Sequence, residues 1–135
     1  IIGTSSFFDN IKLNSSKEKK SKVMPQKKVI EFDDFSKVDI RVGTVIEAEN
    51  VPKSNKLLKL KINTGIDERT ILSGIAKFYS TEEILNKKVM VLINLKPRKM
   101  MGFESEGMLL LAEDSDGNLS LMQPDSEIGD GSVVA

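Results

Sequence analysis

The stretch LLKLKIN at residues 57–63 decides the fold, because apolar and basic side chains alternate along it. In an extended chain the apolar residues lie on one face and Lys59 and Lys61 on the other, which is the period of a half-buried β-strand. The apolar face needs a core to pack on. The basic face is either simply solvated or part of a surface that binds an anion.

A second alternating stretch precedes it at residues 39–49. Gly43 breaks the alternation, and the adjacent apolar residues Val45 and Ile46 follow. A glycine at a shift of register predicts a bulge that lets one strand bend around a small barrel. The connection to the next strand, residues 50–56, is turn-rich and basic.

The residues downstream predict the remaining elements. A third strand is expected at residues 69–76. Ser80 and Glu83 then have the spacing of a capping box, which predicts a short helix that ends at Asn86. Further strands are expected at residues 89–95 and 107–113, with a hairpin turn at 114–118 and a returning strand at 119–122.

The predicted order is three strands, a short helix, two strands and a C-terminal β extension. This order predicts an all-β fold, a five-stranded OB-fold barrel with the short helix between strands 3 and 4. Ligands of that fold usually bind on strands 2 and 3 and on the loops that join strands 1 to 2 and 4 to 5. Here those loops are residues 50–56 and 95–106, and both are basic.

The second of these loops is longer than a connection between two strands requires. Lys96, Arg98 and Lys99 surround Pro97 at its start. We interpret these cations as contacts to phosphate groups, which supply affinity and salt dependence but no sequence code. The alternative is that they only keep the loop solvated.

Composition excludes several classes of function. A chain of 135 residues, 39% hydrophobic and 30% charged, suits one soluble domain. The absence of cysteine and histidine excludes disulfides, the usual catalytic triads and a zinc site of standard composition. We expect no enzyme activity, no metal and no cofactor in this chain. No apolar run has the length of a membrane span, and the lack of cysteine fits a cytoplasmic setting.

The net charge of the chain is zero, but the charged residues are unevenly distributed. Residues 53–99 hold eleven basic and four acidic residues, whereas residues 100–135 hold eight acidic residues and no basic one. A polyanion needs a local positive patch rather than a positive protein. We therefore expect the basic part to meet an anion, and the acidic end to face away from it at a dimer interface or an interdomain contact.

Residues 1–31 are predicted to be a basic flexible linker or the tail of an upstream domain, and residues 32–135 the folded domain. Because the chain begins with Ile, we expect it to be a fragment of a longer protein. The Lys/Ser/Asn run at residues 12–22 has little to bury and is expected to be a soluble tether. The alternative is a basic arm that contacts nucleic acid.

The few aromatic residues are assigned to the core. Phe32, Phe35 and Val38 are spaced by three, which predicts a helical turn that packs its aromatics inward. Phe78 is expected in the core as well. Aromatic residues are only 5% of the chain, which favours recognition of nucleic acid through its backbone and shape over base stacking.

Five short motifs follow one another along the chain: VDIRVG at 38–43, KL at 56–57, SGIAKFY at 73–79, NLKPRK at 94–99 and ESEGM at 104–108. Together they resemble the signature of the tRNA-binding domain family. That family includes the C-terminal domain of bacterial methionyl-tRNA synthetase, free-standing structure-specific tRNA-binding proteins and the endothelial monocyte-activating polypeptide domain. The resemblance runs from about residue 32 to residue 135, with one departure at Asn55, where many members have an acidic residue.

The resemblance implies an OB-fold core, a homodimer built partly from segments outside the barrel, and recognition of tRNA by shape. It places Lys56, Ser105 and Met108 where the family contacts tRNA. Without the resemblance, Ser105 would be a turn residue and Met108 a core residue. The residues that the resemblance places near these contacts are Lys77, Asn94, Lys96, Arg98 and Lys99.

We therefore predict a non-catalytic module that binds tRNA and forms a homodimer. It would be the C-terminal appendix of a methionyl-tRNA synthetase, a ligase of the aminoacyl-tRNA synthetase class, tethered to the upstream synthetase domains. The alternative is a protein-binding dimer of the same fold, chaperone-like or cytokine-like. The predicted tRNA-binding residues are Lys56, Lys59, Lys61, Lys77, Asn94, Lys96, Arg98, Lys99, Ser105 and Met108.

Overall fold

A computed structural model describes residues 23–135. Most of the predicted linker, residues 1–22, lies outside the described residues. Residues 24–31 have no regular secondary structure and lead into helix α1, Phe32–Ser36. Within the described part of the chain, no helix is long and apolar enough to span a bilayer.

After α1 the elements are β1 Ile40–Asn50, β2 Leu58–Asn63, β3 Glu68–Ser73, α2 Thr81–Ile84, β4 Lys88–Leu92, β5 Arg98–Met100, β6 Phe103–Ser105, β7 Met108–Leu109, β8 Leu111–Glu113, β9 Leu119–Leu121 and β10 Val133–Val134. One antiparallel sheet forms the body of the domain, with strand order β3-β2-β1-β4-β7 and with β10 added to β1. Two small hairpins, β5-β6 and β8-β9, accompany it, and helix α2 lies between β3 and β4.

The free edge of β3 is met by the residues that precede β7, so the sheet nearly closes on itself. The amide of Glu106 donates to the carbonyl of Thr70 at 2.8 Å, and the amide of Leu72 donates to Ser105 Oγ at 3.1 Å. This near-closed antiparallel sheet of five strands, with a short helix between β3 and β4, confirms the predicted OB-like barrel.

The interior of the barrel is aliphatic. The alternation predicted for residues 57–63 is confirmed, because Leu58, Leu60 and Ile62 have no exposed surface whereas Lys59 and Lys61 point outward. The predicted capping box also forms, with Glu83 N donating to Ser80 Oγ at 3.0 Å and Ser80 N to Glu83 Oε1 at 2.9 Å. The other fully buried aliphatic residues of the described chain are Val45, Ile71, Ile75, Ile84, Val89, Val91 and Leu109.

The predicted bulge in the first strand is confirmed near Gly43. Val45 pairs with Ile62, but the next pair is Glu47 with Lys61, so Ile46 is the extra residue. Gly43 itself is needed for a close approach: a Cβ there would lie 2.8 Å from the carbonyl oxygen of Asn63. The bulge and this close contact let β1 bend and pair with β2 and β4 at once.

The C-terminal segment packs back on the barrel of its own chain. Val42 donates to the carbonyl of Ser132 at 2.9 Å, and Gly131 donates to the carbonyl of Val42 at 2.7 Å. Asp130 Oδ1 accepts from Lys88 Nζ and from Thr44 Oγ1, both at 2.7 Å. Part of the acidic end therefore belongs to the fold.

The prediction that three aromatic residues lie in the core is wrong. Phe32, Phe35 and Phe78 are exposed by 76%, 43% and 40% of their surface. The two aromatics of α1 contact each other, with ring centroids 6.3 Å apart, but α1 buries no residue. The spacing of the apolar residues was right for a helix, yet the aliphatic strand residues already fill the barrel.

Two other boundaries differ from the prediction. Residues 95–106, expected to be a loop, contain the hairpin β5-β6, whose turn has Met101 and Gly102 at φ of 51° and 83°. The predicted strand at residues 107–113 is divided at Leu110, because β7 pairs with β4 whereas β8 turns away to pair with β9.

Candidate nucleic-acid interface

A small apolar cluster outside the barrel holds the two predicted binding loops together. Val51 and Leu57 flank the loop between β1 and β2, and they pack with Leu72 of β3. Met100 and Phe103 of the β5-β6 hairpin pack against this cluster. We call these five residues the outer cluster; it fixes the hairpin beside the β1-β2 loop at one end of the barrel.

The outer cluster brings basic side chains from three segments to that end. The carbonyl of Lys56 accepts the amide of Ala76 at 2.9 Å, so the segment that carries Lys77 lies against the β1-β2 loop. Among the residues that the structure describes, these basic side chains form no ion pair, and all are exposed. We call them the loop cations: Lys53, Lys56, Lys77, Lys96, Arg98 and Lys99.

Lys53 was missing from the residues predicted to bind tRNA. It lies in the turn where Ser54 N donates to the carbonyl of Val51 at 3.2 Å, and its φ of 67° is rare for a residue other than glycine. Its position in the same basic loop as Lys56 was the sequence signal that could have identified it.

Four of the predicted residues line one cleft beside the outer cluster: Lys96, Arg98, Ser105 and Met108. Leu72, Leu95, Met100 and Gly107 complete its walls. Ser105 is 5% exposed; its hydroxyl accepts from the amide of Leu72 and donates to the carbonyl of Gly107, both at 3.1 Å. Met108 is half-buried and pairs with Leu92. The cleft thus combines an apolar floor with two cations.

Asn94 lies apart from these groups and joins the α1-β1 junction to the barrel. Its Oδ1 accepts from the amide of Asp39 at 2.9 Å, and its Nδ2 donates to the carbonyl of Lys37. In the same junction Arg41 Nε lies 2.6 Å from Asp39 Oδ1. The hydrogen bond to Asp39 raises the pKa of Arg41 despite opposing burial, so this junction is held by fixed charges.

Lys59 and Lys61 are accompanied by acids. Lys59 Nζ lies 2.9 Å from Glu49 and 4.5 Å from the ring centroid of Phe103. Lys61 Nζ lies 3.5 Å from both Glu47 and Glu68. The charge of Glu47, followed by that of Glu68, raises the pKa of Lys61. These five charged side chains lie on the outer face of β1, β2 and β3, which we call the sheet face.

Within residues 23–135, no group of acidic, histidine or cysteine side chains has the arrangement of a metal site. The arrangement offers positive side chains, backbone shape and an apolar cleft. Such a surface can bind a polyanion through its phosphates.

The family model described as putative tRNA-binding domain matches residues 40–133. The methionine-tRNA ligase of Flavobacterium psychrophilum is 54% identical over 114 residues, 84% of this chain but 17% of that protein. The ligase of Bacteroides fragilis strain YCH46 is 50% identical over 120 residues, 89% of this chain and 18% of that protein. The chain therefore spans less than a fifth of the curated relatives that it matches.

Two solved structures with the same fold are matched by this chain over their full length. A structure described as a MetRS-related protein from Pyrococcus horikoshii has a TM-score of 0.77 and 40% identity, and the match covers 81% of this chain and 100% of that one. A structure described as the chaperone CsaA from Bacillus anthracis has a TM-score of 0.73 and 28% identity, with 80% and 100% covered.

Proposed function

Because the chain belongs to the putative tRNA-binding domain family, we propose that it is a non-catalytic module that binds tRNA by its shape and phosphate backbone. The loop cations carry this proposal. They are exposed, they lack ion-pair partners among the described residues, and the outer cluster holds them at one end of the barrel. Phosphates would replace the water around them without having to break ion pairs first.

Positioning of the cations supports binding to a folded RNA. The outer cluster fixes the hairpin and the β1-β2 loop as one surface, so the cations hold their spacing before the ligand arrives. A ligand with a fixed pattern of phosphates gains from such a surface, because less side-chain and loop order is lost on binding. A folded tRNA presents that pattern, whereas an unfolded strand does not.

The relatives support a place within a larger enzyme. We propose that this module is the C-terminal appendix of a cytoplasmic methionine-tRNA ligase and that the upstream synthetase domains carry the catalysis. A second tRNA site tethered to the catalytic body raises the effective concentration of tRNA near it. No cofactor is proposed for this module.

A homodimer is proposed from the exposed apolar residues before the barrel. A helix of five residues is not stable alone, yet α1 buries none of its residues and exposes Phe32 and Phe35. Val29 and Ile30 are exposed beside them. A second copy of the chain would cover this surface.

The dimer is tested by sedimentation of Phe32→Ser with Phe35→Ser, which should be monomeric at concentrations where the parent chain is dimeric. Phe78→Ser is the matched control, since Phe78 is a further exposed aromatic, and it should stay dimeric. Deleting residues 115–135 would not be a clean test, because that segment supplies the buried Leu121 and strand β10.

The second candidate function, a protein-binding dimer, is favoured by the same exposed apolar surface and by the likeness to a structure described as a chaperone. One experiment separates the two. The chain is titrated with tRNA and with a panel of unfolded peptides at several salt concentrations. We expect tRNA affinity that falls steeply with salt and that weakens in Lys96→Ala with Arg98→Ala.

The charge-matched control is Lys28→Ala with Lys37→Ala, two exposed lysines outside the loop cations, which should bind tRNA as the parent chain does. Peptide binding that is insensitive to salt, together with no affinity for tRNA, would overturn the proposed function in favour of the second candidate.

A further inference from the structure

We propose that Glu47, Glu49 and Glu68 determine specificity by closing the sheet face to single-stranded RNA. This inference rests on the proposed function and extends it, because it explains which RNA the module rejects. On an OB-fold barrel, single strands bind along strands 2 and 3, where a basic groove tracks the backbone and aromatic rings stack on the bases. In this chain the basic groove and the aromatic ring are both present, but neighbouring side chains block each of them.

The bulge in β1 aligns the acids with the lysines. Beyond the bulge, Glu47 pairs with Lys61 and Glu49 with Lys59. If Ile46 paired regularly instead of forming the bulge, the register that starts at Val45 and Ile62 would place Ile46 opposite Lys61 and Ala48 opposite Lys59. The charge pairing across these strands therefore depends on the same backbone feature that bends the barrel.

The third acid comes from the other neighbour of β2. Glu68 lies on β3 and reaches Lys61 at 3.5 Å, the same distance as Glu47. The sheet face thus holds three carboxylates against two ammonium groups, and its net charge is negative. An open groove of about 200 Å³ lies between the charged side chains of β1 and β2. It is lined by Glu47, Glu49, Lys59, Lys61, Ala48, Leu60 and Thr70.

The acids repel phosphate even though the ion pairs themselves are weak. Exposed pairs of this kind contribute little to stability, so a phosphate could displace a carboxylate from Lys59 or Lys61. The displaced carboxylate stays tethered opposite the lysine, within a few ångströms of the phosphate that replaced it. Like charges at that distance repel at a protein surface, and the gain from the lysine is cancelled.

The aromatic platform is blocked in the same way. Phe103 is the partly exposed ring at this end of the face, and Lys59 Nζ covers it at 4.5 Å from the centroid. The same Lys59 Nζ lies 2.9 Å from Glu49 Oε1. A base can stack on Phe103 only after Lys59 moves away from both partners.

A folded RNA is not affected, because it meets the loop cations at the end of the barrel. Those cations have no acidic partners in ion pairs among the described residues. A double helix is wide and is read from outside through its backbone, so it does not need to enter the groove of the sheet face. The acids thus separate folded from single-stranded RNA.

The test uses the triple variant Glu47→Gln, Glu49→Gln, Glu68→Gln and an oligouridine of about 12 nucleotides, a length within the site size of one OB fold. We expect the variant to bind oligouridine at least about tenfold more tightly than the parent chain. Its plot of log K against log salt should be steeper by about 1.4, since two more lysines neutralise phosphates of a single strand.

The charge-matched control is Asp116→Asn, Asp125→Asn, Glu127→Gln, which removes three exposed acids outside the sheet face. It should leave oligouridine affinity within about twofold of the parent. Adding Lys59→Ala and Lys61→Ala to the triple variant should abolish the gain. Thermal unfolding of each variant checks that it is folded. If the triple variant does not fold, the single variant Glu49→Gln should still show a smaller gain in oligouridine affinity.

Three results would overturn the inference: no gain in a folded triple variant, an equal gain in the control, or a gain that survives removal of both lysines. Titration of the parent chain with tRNA in parallel keeps this outcome separate from the proposed function. Affinity for tRNA without any gain for oligouridine would refute only the role of the acids. Absence of tRNA affinity in the parent chain would refute the proposed function itself.

Discussion

The loop cations and the lysines of the sheet face have the same chemistry but different surroundings. Lys96 and Arg98 extend from a hairpin and form no ion pair among the described residues, whereas Lys59 and Lys61 each have an acid within 3.5 Å. The sheet face is the surface that the fold usually offers to ligands. In this chain the charge free to bind a polyanion has been placed at the end of the barrel instead.

From this difference we expect a basic residue on a binding face to contribute to binding only where no neighbouring acid pairs with it. A phosphate gains from a cation only when no neighbouring anion opposes it. Variants that change one group of cations and leave the other intact test this contrast.

The largest effect is expected from removing cations on both sides of the outer cluster. Lys56→Ala, Lys96→Ala and Arg98→Ala together should lower tRNA affinity about 100-fold at about 0.15 M salt, since three phosphates are no longer neutralised. The measurement is a fluorescence titration with labelled tRNA. Lys28→Ala, Lys37→Ala and Lys87→Ala remove the same charge elsewhere and should cost less than about threefold. Equal losses of affinity in the two variants would mean that only total charge matters.

A second variant breaks the outer cluster without changing charge. Phe103→Ala should destabilise the domain by about 2 kcal/mol, less than a fully buried aromatic would, because the ring is half-buried. It should weaken tRNA binding about tenfold, since the hairpin no longer holds its cations against the β1-β2 loop. Urea unfolding and tRNA titration check the two effects, with Phe103→Leu as the conservative control. Unchanged tRNA affinity in Phe103→Ala would show that tRNA binding does not depend on the outer cluster.

A third variant concerns an ion pair that belongs to the fold. Burial on its own would raise the pKa of Asp130, but hydrogen bonds from Lys88 and Thr44 outweigh it and the pKa is lowered. A lowered pKa in the folded state means that stability is present above the unfolded value of about 3.9 and is lost as pH falls through the folded value.

Asp130→Asn should therefore cost about 2 kcal/mol at neutral pH and little at acid pH. Urea unfolding at both pH values measures this difference. The affinity of the variant for tRNA at neutral pH should match that of the parent. If the free energy of unfolding of Asp130→Asn depends on pH as strongly as that of the parent chain, the acid sensitivity arises from other carboxylates.

A smaller effect on stability is expected at Ser105. Its hydroxyl already accepts from the buried amide of Leu72, so Ser105→Ala should cost about 1 kcal/mol of stability. We expect its tRNA affinity to change less than about threefold. A much larger loss of affinity in a folded variant would make Ser105 a direct contact and would extend the binding surface into the cleft.

Much of the fold followed from local patterns. The alternation at residues 57–63 indicated the strand and its buried face, the capping box indicated α2, and Asp114 to Asn118 indicated the hairpin turn. The β5-β6 hairpin was missed because Met101 stands before Gly102 in its turn, where Asn, Asp or Gly is usual. The aromatics of α1 were misplaced because a spacing of three does not tell which surface a helix faces.

The surroundings of the candidate site were harder to predict than its residues. Lys59 and Lys61 were identified from the sequence, but their acidic partners depend on a register that one bulge shifts by one residue. Similarly, Lys56 and Lys96 are far apart in sequence, and only the packing of the outer cluster brings their loops together. Ion pairing and exposure arise from tertiary contacts that no single segment encodes.

The salt dependence of tRNA binding in two matched variants distinguishes binding at the loop cations from binding at the sheet face. Each removes two positive charges: Lys96→Ala with Arg98→Ala, and Lys59→Ala with Lys61→Ala. We predict that the slope of log K against log salt becomes shallower by about 1.8 in the first variant, because two phosphates are no longer neutralised, and stays unchanged in the second. Equal changes of slope in the two variants, or a larger change in the second, would contradict the claim.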